Sequence, residues 1–560
     1  MTDSKTPLKN NLWAKISDWG FRHPYWTLVL LTFATLSPFL AKPFNMDDPL
    51  YIWAAQQIQL HPGNPYGFNI NWYGVAQTMW AATQNPPLFS YFLAAAATLF
   101  GWNEIGLHFA CLLPTLAVVL GTYRLAKDIC RWPMLAALVT LFAPGFLISS
   151  TTVMSDVPML GLWVWAVIFW LEGVKQDNFW KLFVAGLLTG LAILTKYNAI
   201  CLIPLLAACG WLEKRTVGRW VFFLLIPILL LAADEWFTFR LYGHPHFLNS
   251  IATNQDAKAV MANHGVSKVF KALNTLTFIG GCSAAALFFA PFVWRKKALA
   301  WFALTALVLT VQAVAGGMMV KNYSWVTGNA GLYVEIQIFL WTFAGLSVLG
   351  LACADVWRNR DAASGLLVLW MLGIFVFAAG VYWTVNGRIV LPLLPAAGIL
   401  IVRRLGQTNL TLTPGIKLSL VLTAALSLLT AQVDFEQAHV ARRSAEQISV
   451  KYAGATGKVW FEGHWGFQYY MQTCGAWPLD FNHSEIKSGD LLIIPAENCN
   501  VDGPDPSKAT NLEVVQFPLF PWLATWSSKA GASFYFTDGG PLPFAFGCIP
   551  PERVFVFVWK

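Results

Sequence analysis

Charge is what this chain has least of. Only 12% of its 560 residues are Asp, Glu, Lys or Arg, against 56% hydrophobic, and the mean hydropathy is +0.53. A soluble domain carries about 25% charged residues, so a soluble globular protein is excluded and an integral membrane protein implied. The chain also lacks a nucleotide-binding fingerprint, an internal repeat and any strong zinc-ligand spacing. Its first apolar run, "TLVLLTFATLSPFLAKPF", has no small-x-small cleavage site and reads as a retained helix. Six of the nine cysteines lie in or beside apolar runs, where a thiol packs. Cys474, Cys499 and Cys548 fall in the tail, an odd number that allows at most one internal bridge.

What is present in abundance is membrane-length apolar sequence. Runs at roughly 26–43, 104–126, 133–151, 157–174, 179–195, 198–212, 219–239, 271–293, 298–318, 333–354, 364–384, 388–403 and 416–432 predict about thirteen transmembrane helices. With the N-terminus cytoplasmic, the inner segments hold twenty Lys and Arg and the outer ones before the last span hold eight. Positive charge prefers the cytoplasmic side, so this orientation is expected, with residues 433–560 outside. The net charge of +8 reflects that bias and gives no reason to expect a nucleic-acid partner.

The fold class expected is therefore mainly α and polytopic, with a membrane domain over 1–432 and a small extracytoplasmic α/β domain over 433–560. In the first outer loop, about 44–103, "LYIWAAQQI" and "NPPLFSYFLAAAATLF" predict helices at the membrane interface. In the tail, "KVWFEG", "DLLIIPA", "EVVQFP" and "VFVFVW" predict strands, and "GFQYYMQTCG" a helix ending at Gly475.

The few ionisable groups near span ends carry the functional reading. In "AKPFNMDDPLYIWAAQQIQ", Asp48 precedes Pro49 and suits a helix N-cap. Asp47 has no such role, which frees it for chemistry. Asp156, in "TTVMSDVPML", either caps the fourth span or faces the same outer site. Asp234 and Glu235 end the seventh span, and acids there must face protein, water or headgroups. Glu104 and Glu335 also sit at outer helix ends. Lys196 and Arg388 lie at the outer ends of their spans, where they either snorkel to headgroups or grip a bound phosphate. His244, His246 and His264 in the second outer loop, about 241–270, are expected to be solvated rather than metal-ligating. Carboxylates beside a phosphate clamp suit group transfer from a lipid-linked phosphate donor: a carboxylate takes the acceptor's proton while a cation stabilises the departing phosphate.

At this point the sequence resembles a known family, the membrane glycosyltransferases of the C-type fold. The likeness is to the protein O-mannosyltransferase and lipid A aminoarabinose transferase branch (family 39-like), and five elements carry it in order. They are "MDDPLYIWAAQQI", "QNPPLFSYFL" (84–93), "SDVPML" (155–160), "GLLTGLAILTKYNAI" (186–200) and "GRIVLPLLPAAGIL". The resemblance implies Asp47 as catalytic base, with Asp48 beside it and Asp156 supporting the site or a cation. It implies Lys196 or Arg388 as holder of the donor phosphate. The implied partners are a polyprenyl-phosphate sugar, a hydroxyl acceptor of unknown class and membrane lipids. No cofactor is firmly implied, and a divalent cation is left open. The implied reaction is inverting, on the outer face of a bacterial inner membrane.

Two departures stand out. Asn85 replaces the Lys that aminoarabinose transferases carry before Pro-Pro, giving a hydrogen-bond donor without charge, and His108 stands in "GLHFACLLP" where relatives have Arg-Leu-Pro. The alternative class is a transporter or flippase, which predicts charges or broken helices near the midplane. A third is a binding scaffold, with "EGHWGFQYYM" (462–471) as an aromatic sugar platform against the plainer reading of those aromatics as core.

Overall fold

The computed structural model describes residues 22–263, 267–315, 329–408, 412–498, 501–536 and 540–560. His264 and Cys499 lie outside these residues. Among the described residues, eight helices are long and apolar enough to cross a membrane, or nine if Pro133–Leu141 and Pro144–Ser150, bent by 63°, form one span. Each of the thirteen expected segments contains helix among the described residues, yet five are not single helices of crossing length, the bent pair at 133–151 and four others. The run at 26–43 stops as a helix at Leu36, followed by a 3-10 turn at Ser37–Phe39. The run at 198–212 opens with a 3-10 turn before Leu202–Lys214, and 271–293 breaks after Cys282. Phe179–Thr195 has 17 residues. At 1.5 Å per residue a 13-residue helix reaches about 20 Å, short of the roughly 30 Å hydrocarbon layer.

Small residues bring the helices together. An ideal Cβ on Gly280 would lie 1.8 Å from the Trp341 carbonyl oxygen, and one on Gly345 2.2 Å from that of Leu276. Helices Lys268–Cys282 and Asn329–Asn359 therefore touch backbone to backbone, the usual means of tight packing where lipid gives no hydrophobic drive.

The loop expected at 44–103 contains helices Asp48–Leu60 and Leu88–Phe100 and a short hairpin pairing Asn69–Asn71 with Ala76–Thr78. The expected boundary at 432/433 falls inside one helix, Pro414–Lys451. It leads into a five-stranded sheet ordered Trp477–Pro478, Val459–Phe461, Leu491–Pro495, Glu552–Trp559, Ala509–Phe517. The first two pairings are parallel, with helix Trp465–Thr473 as the crossover, and the other two antiparallel. All four expected strands and the helix are there. Leu491–Pro495 is buried throughout, as its unbroken apolar run requires. Cys474 and Cys548 are free thiols.

Candidate functional site

Chain topology gathers the charged residues. Helices Asp156–Gln176 and Phe179–Thr195 form a hairpin closed at 177–178, so Asp156 and Lys196 meet at its open end. Lys196 Nζ donates to Asp156 Oδ1 at 2.5 Å. Arg388 arrives from the start of helix Gly387–Val390, where the Asn386 side chain accepts from Ile389 N–H at 2.9 Å. The tail fixes the same turn, since Gly387 N–H donates to the Phe534 carbonyl at 2.8 Å. Arg388 Nε donates to Asp156 Oδ2 at 2.9 Å while Nη1 donates to Asp47 Oδ2. One buried guanidinium thus joins two carboxylates from chain segments more than a hundred residues apart. Lys196 and Arg388 do not snorkel; both are buried in this network.

Asp47 and Asp48 part company. Asp47 occupies the N-cap position of helix Asp48–Leu60 without a side-chain cap bond, and its side chain is 30% exposed toward the cavity. Asp48, expected to cap that helix, is instead its first residue and wholly buried. Its carboxylate accepts from Asn45 N–H and Val153 N–H, each at 2.9 Å, tying the loop before Asp47 to the loop before Asp156. Burial pushes the Asp48 carboxyl up to about 7, against the opposing pull of those two amides and of Lys42. Asp156 likewise begins its helix without capping it, the N-cap Ser155 making no side-chain cap bond. Tyr51 Oη and Ser155 Oγ lie 2.8 Å apart behind the network.

A cavity of about 220 Å³ opens onto this network. Asp47, Lys196, Arg388 and Asn85 all line it, facing Trp72, Trp383 and, from the tail, His464, Trp465 and Tyr535. Of "EGHWGFQYYM", His464 and Trp465 reach the cavity, while Phe467, Tyr470 and Met471 are core, so the segment divides between cavity wall and core. Alongside, an apolar groove of about 670 Å³ runs between Leu88, Phe92, Pro114, Trp165 and Leu188 to Thr195, the neighbour of Lys196.

The other expected groups lie elsewhere. Glu235 accepts from Phe247 N–H at 2.6 Å and Leu248 N–H at 3.2 Å, capping helix His246–Asn263. His246 is not solvated: it is fully buried, with Nδ1 2.9 Å from Tyr197 Oη and Nε2 3.1 Å from the Thr83 carbonyl. Burial holds its basicity down to about 4. His108 is buried too, its Nδ1 2.8 Å from the Glu104 carbonyl. Among the described residues no three His, Cys, Asp or Glu groups are placed to share a metal. The donor set does not fit one either, because Asp47 and Asp156 already face two cationic side chains.

Sequence reading passed over a second charged node. Lys42, one of the eight Lys and Arg expected on the outer side, is wholly buried against Asp434, which also accepts from Thr525 Oγ1 at 2.6 Å and Tyr535 Oη at 2.7 Å. The one available signal was Asp434 itself, the first acid of its helix, at the end of that helix's apolar run.

Known proteins can now be set beside this geometry. Residues 84–236 match the family model described as dolichyl-phosphate-mannose-protein mannosyltransferase. The match takes in Asn85, Asp156 and Lys196, and with them three of the five elements of the resemblance. It stops short of Asp47 and Arg388. Among solved structures, an oligosaccharyltransferase of Archaeoglobus fulgidus tethered to an acceptor peptide is 13% identical with a TM-score of 0.48. The alignment covers 82% of this chain and 64% of that one, so this chain spans less than two thirds of its length. ArnT of Cupriavidus metallidurans bound to undecaprenyl phosphate is 14% identical with a TM-score of 0.39, over 85% of this chain and 93% of that one. No curated protein matches.

Proposed function

We propose that this chain is a glycosyltransferase moving a sugar from a polyprenyl-phosphate donor to a hydroxyl acceptor, with Asp47 as general base. The observation that carries the reading is the placement of one part-exposed carboxylate and two buried cations on the wall of a single cavity. The acceptor hydroxyl oxygen attacks the anomeric carbon and its proton passes to Asp47. The bond from that carbon to the phosphate oxygen breaks, and its electron pair leaves on the phosphate. Arg388 and Lys196 stabilise that charge and Asn85 adds a hydrogen bond. Asp156 orients both cations, and Asp48 fixes the loop bearing Asp47. A single displacement with one base inverts the anomeric configuration. The apolar groove ending at Thr195 takes the first isoprene units, which binds the donor by its tail.

The site is assigned to the outer face of a bacterial inner membrane, the membrane domain to 1–432 and the tail, 433–560, to the same outer side. The test is transfer by purified protein from a radiolabelled polyprenyl-phosphate sugar pool extracted from the native membrane. Label should leave the lipid in the parent, and Asp47→Asn should slow this about 10²–10⁴-fold, the usual worth of a general base. Undiminished turnover in folded Asp47→Asn excludes Asp47 as base.

A further inference from the structure

The loop that carries Asp47 is closed from within by Asn45 and Asp48, whose N–H groups donate to the Asp48 carboxylate at 2.9 Å and the Asn45 carbonyl at 3.1 Å, yet it contains a strained turn. Met46, the residue before Asp47, has φ 48°, in the left-handed region that side chains disfavour. Across the cavity wall Trp465, at the head of the tail helix Trp465–Thr473, has φ 65°. Both residues line the cavity at Asp47 and also a smaller one of about 70 Å³ behind it. Backbones in that region persist only where their surroundings impose them.

Asp48 supplies part of those surroundings and the tail supplies the rest. Tyr470 is buried, and its hydroxyl donates to Glu104 Oε1 at 2.9 Å, an oxygen that Arg442 also approaches at 3.3 Å. With its one proton committed to that carboxylate, the hydroxyl has lone pairs to offer, and Phe44 N–H donates to it at 2.8 Å. Beside it Gly466 lies flat against the same stretch, where an added Cβ would stand 2.3 Å from the Phe44 carbonyl oxygen and 3.1 Å from Asn45 Cα. These two contacts fix the chain two and three residues before Asp47.

We infer that Tyr470 and Gly466 are positioning residues: the tail helix clamps Phe44 and Asn45 so that the strained turn at Met46 delivers Asp47 into the cavity. This rests on the reading of Asp47 as the base, but the clamp itself has a signature independent of catalysis. Removing the Tyr470 hydroxyl orphans the Phe44 amide and frees the loop, without touching Arg388, Lys196 or the apolar groove.

The experiment uses the full chain in nanodiscs, comparing the parent, Tyr470→Phe and Gly466→Ala in otherwise native and Asp47→Asn backgrounds. Three quantities are read: amide hydrogen exchange over 42–48, affinity for undecaprenyl phosphate, and turnover of the extracted lipid-linked sugar pool. Expected is exchange at least about tenfold faster at 44–47, with phosphate binding no weaker than in the parent. Turnover should fall about 10–100-fold in the native background and hardly at all in Asp47→Asn, since groups acting as a unit are non-additive. Unchanged exchange in both variants overturns the clamp, whether or not the chain transfers sugar. Equal turnover losses in the two backgrounds, or weakened phosphate binding, also overturn it. Faster exchange in the variants of a parent that transfers no label upholds the clamp and counts against the glycosyltransferase reading alone.

Discussion

Arg388 holds Asp47 and Asp156 at once, through Nη1 and Nε of the same guanidinium. The group proposed to receive the donor phosphate is therefore already engaged by the proposed base. On that proposal, a phosphate entering the cavity would compete with Asp47 for Arg388, and its capture would release the carboxylate to accept a proton.

That competition has an unusual consequence. Asp47→Asn should bind undecaprenyl phosphate about two- to fivefold more tightly than the parent while losing turnover, because a part-exposed ion pair worth about 0.5–1 kcal/mol no longer opposes binding. Isothermal titration in detergent gives the answer directly. Equal or weaker binding by the variant removes the competition from the mechanism.

Asp156 should matter for folding as well as for chemistry. Its two oxygens neutralise Lys196 and Arg388 in a buried setting, and breaking such a network by removing one partner costs about 3–5 kcal/mol. Asp156→Asn should lower the Tm far more than Asp47→Asn, whose partner Arg388 keeps Asp156. Thermal unfolding of the two variants side by side measures this, and similar Tm values contradict it.

His246 sets an acid limit. In the folded state its pKa lies near 4, below the ordinary value of about 6.5, so the unfolded chain binds the proton more readily between those pH values. Its contribution is complete above pH 6.5 and is lost as pH falls toward 4, up to about 3 kcal/mol in all. His246→Gln keeps a donor for the Thr83 carbonyl and an acceptor for Tyr197 but cannot titrate. The Tm of this variant should fall less steeply than that of the parent between pH 7 and 4.5; parallel slopes rule the histidine out.

The contact at Gly280 gives a test of the helix packing. A methyl there meets the Trp341 carbonyl, which cannot rotate away. Gly280→Ala should destabilise by about 1–3 kcal/mol or more, the usual cost of overpacking. By contrast Gly373→Ala, with open space around the added methyl, should leave the Tm nearly unchanged.

The sequence by itself determined that the chain lives in a membrane, because scarce charge and repeated apolar runs admit no soluble fold. It also marked where the tail's strands and helix lie, since hydrophobic period and turn glycines act locally. It singled out Asp47, Asp156, Lys196 and Arg388, because ionisable groups at the ends of apolar helices are costly and therefore conspicuous. Only the tertiary structure decided their partners. Whether Asp48 caps a helix or ties two loops together depends on where Val153 N–H comes to lie. Whether Lys42 is a surface charge or half of a buried pair depends on a helix almost four hundred residues away. A run of hydropathy reports the medium a segment prefers; contacts between distant segments depend on packing, which no local pattern encodes.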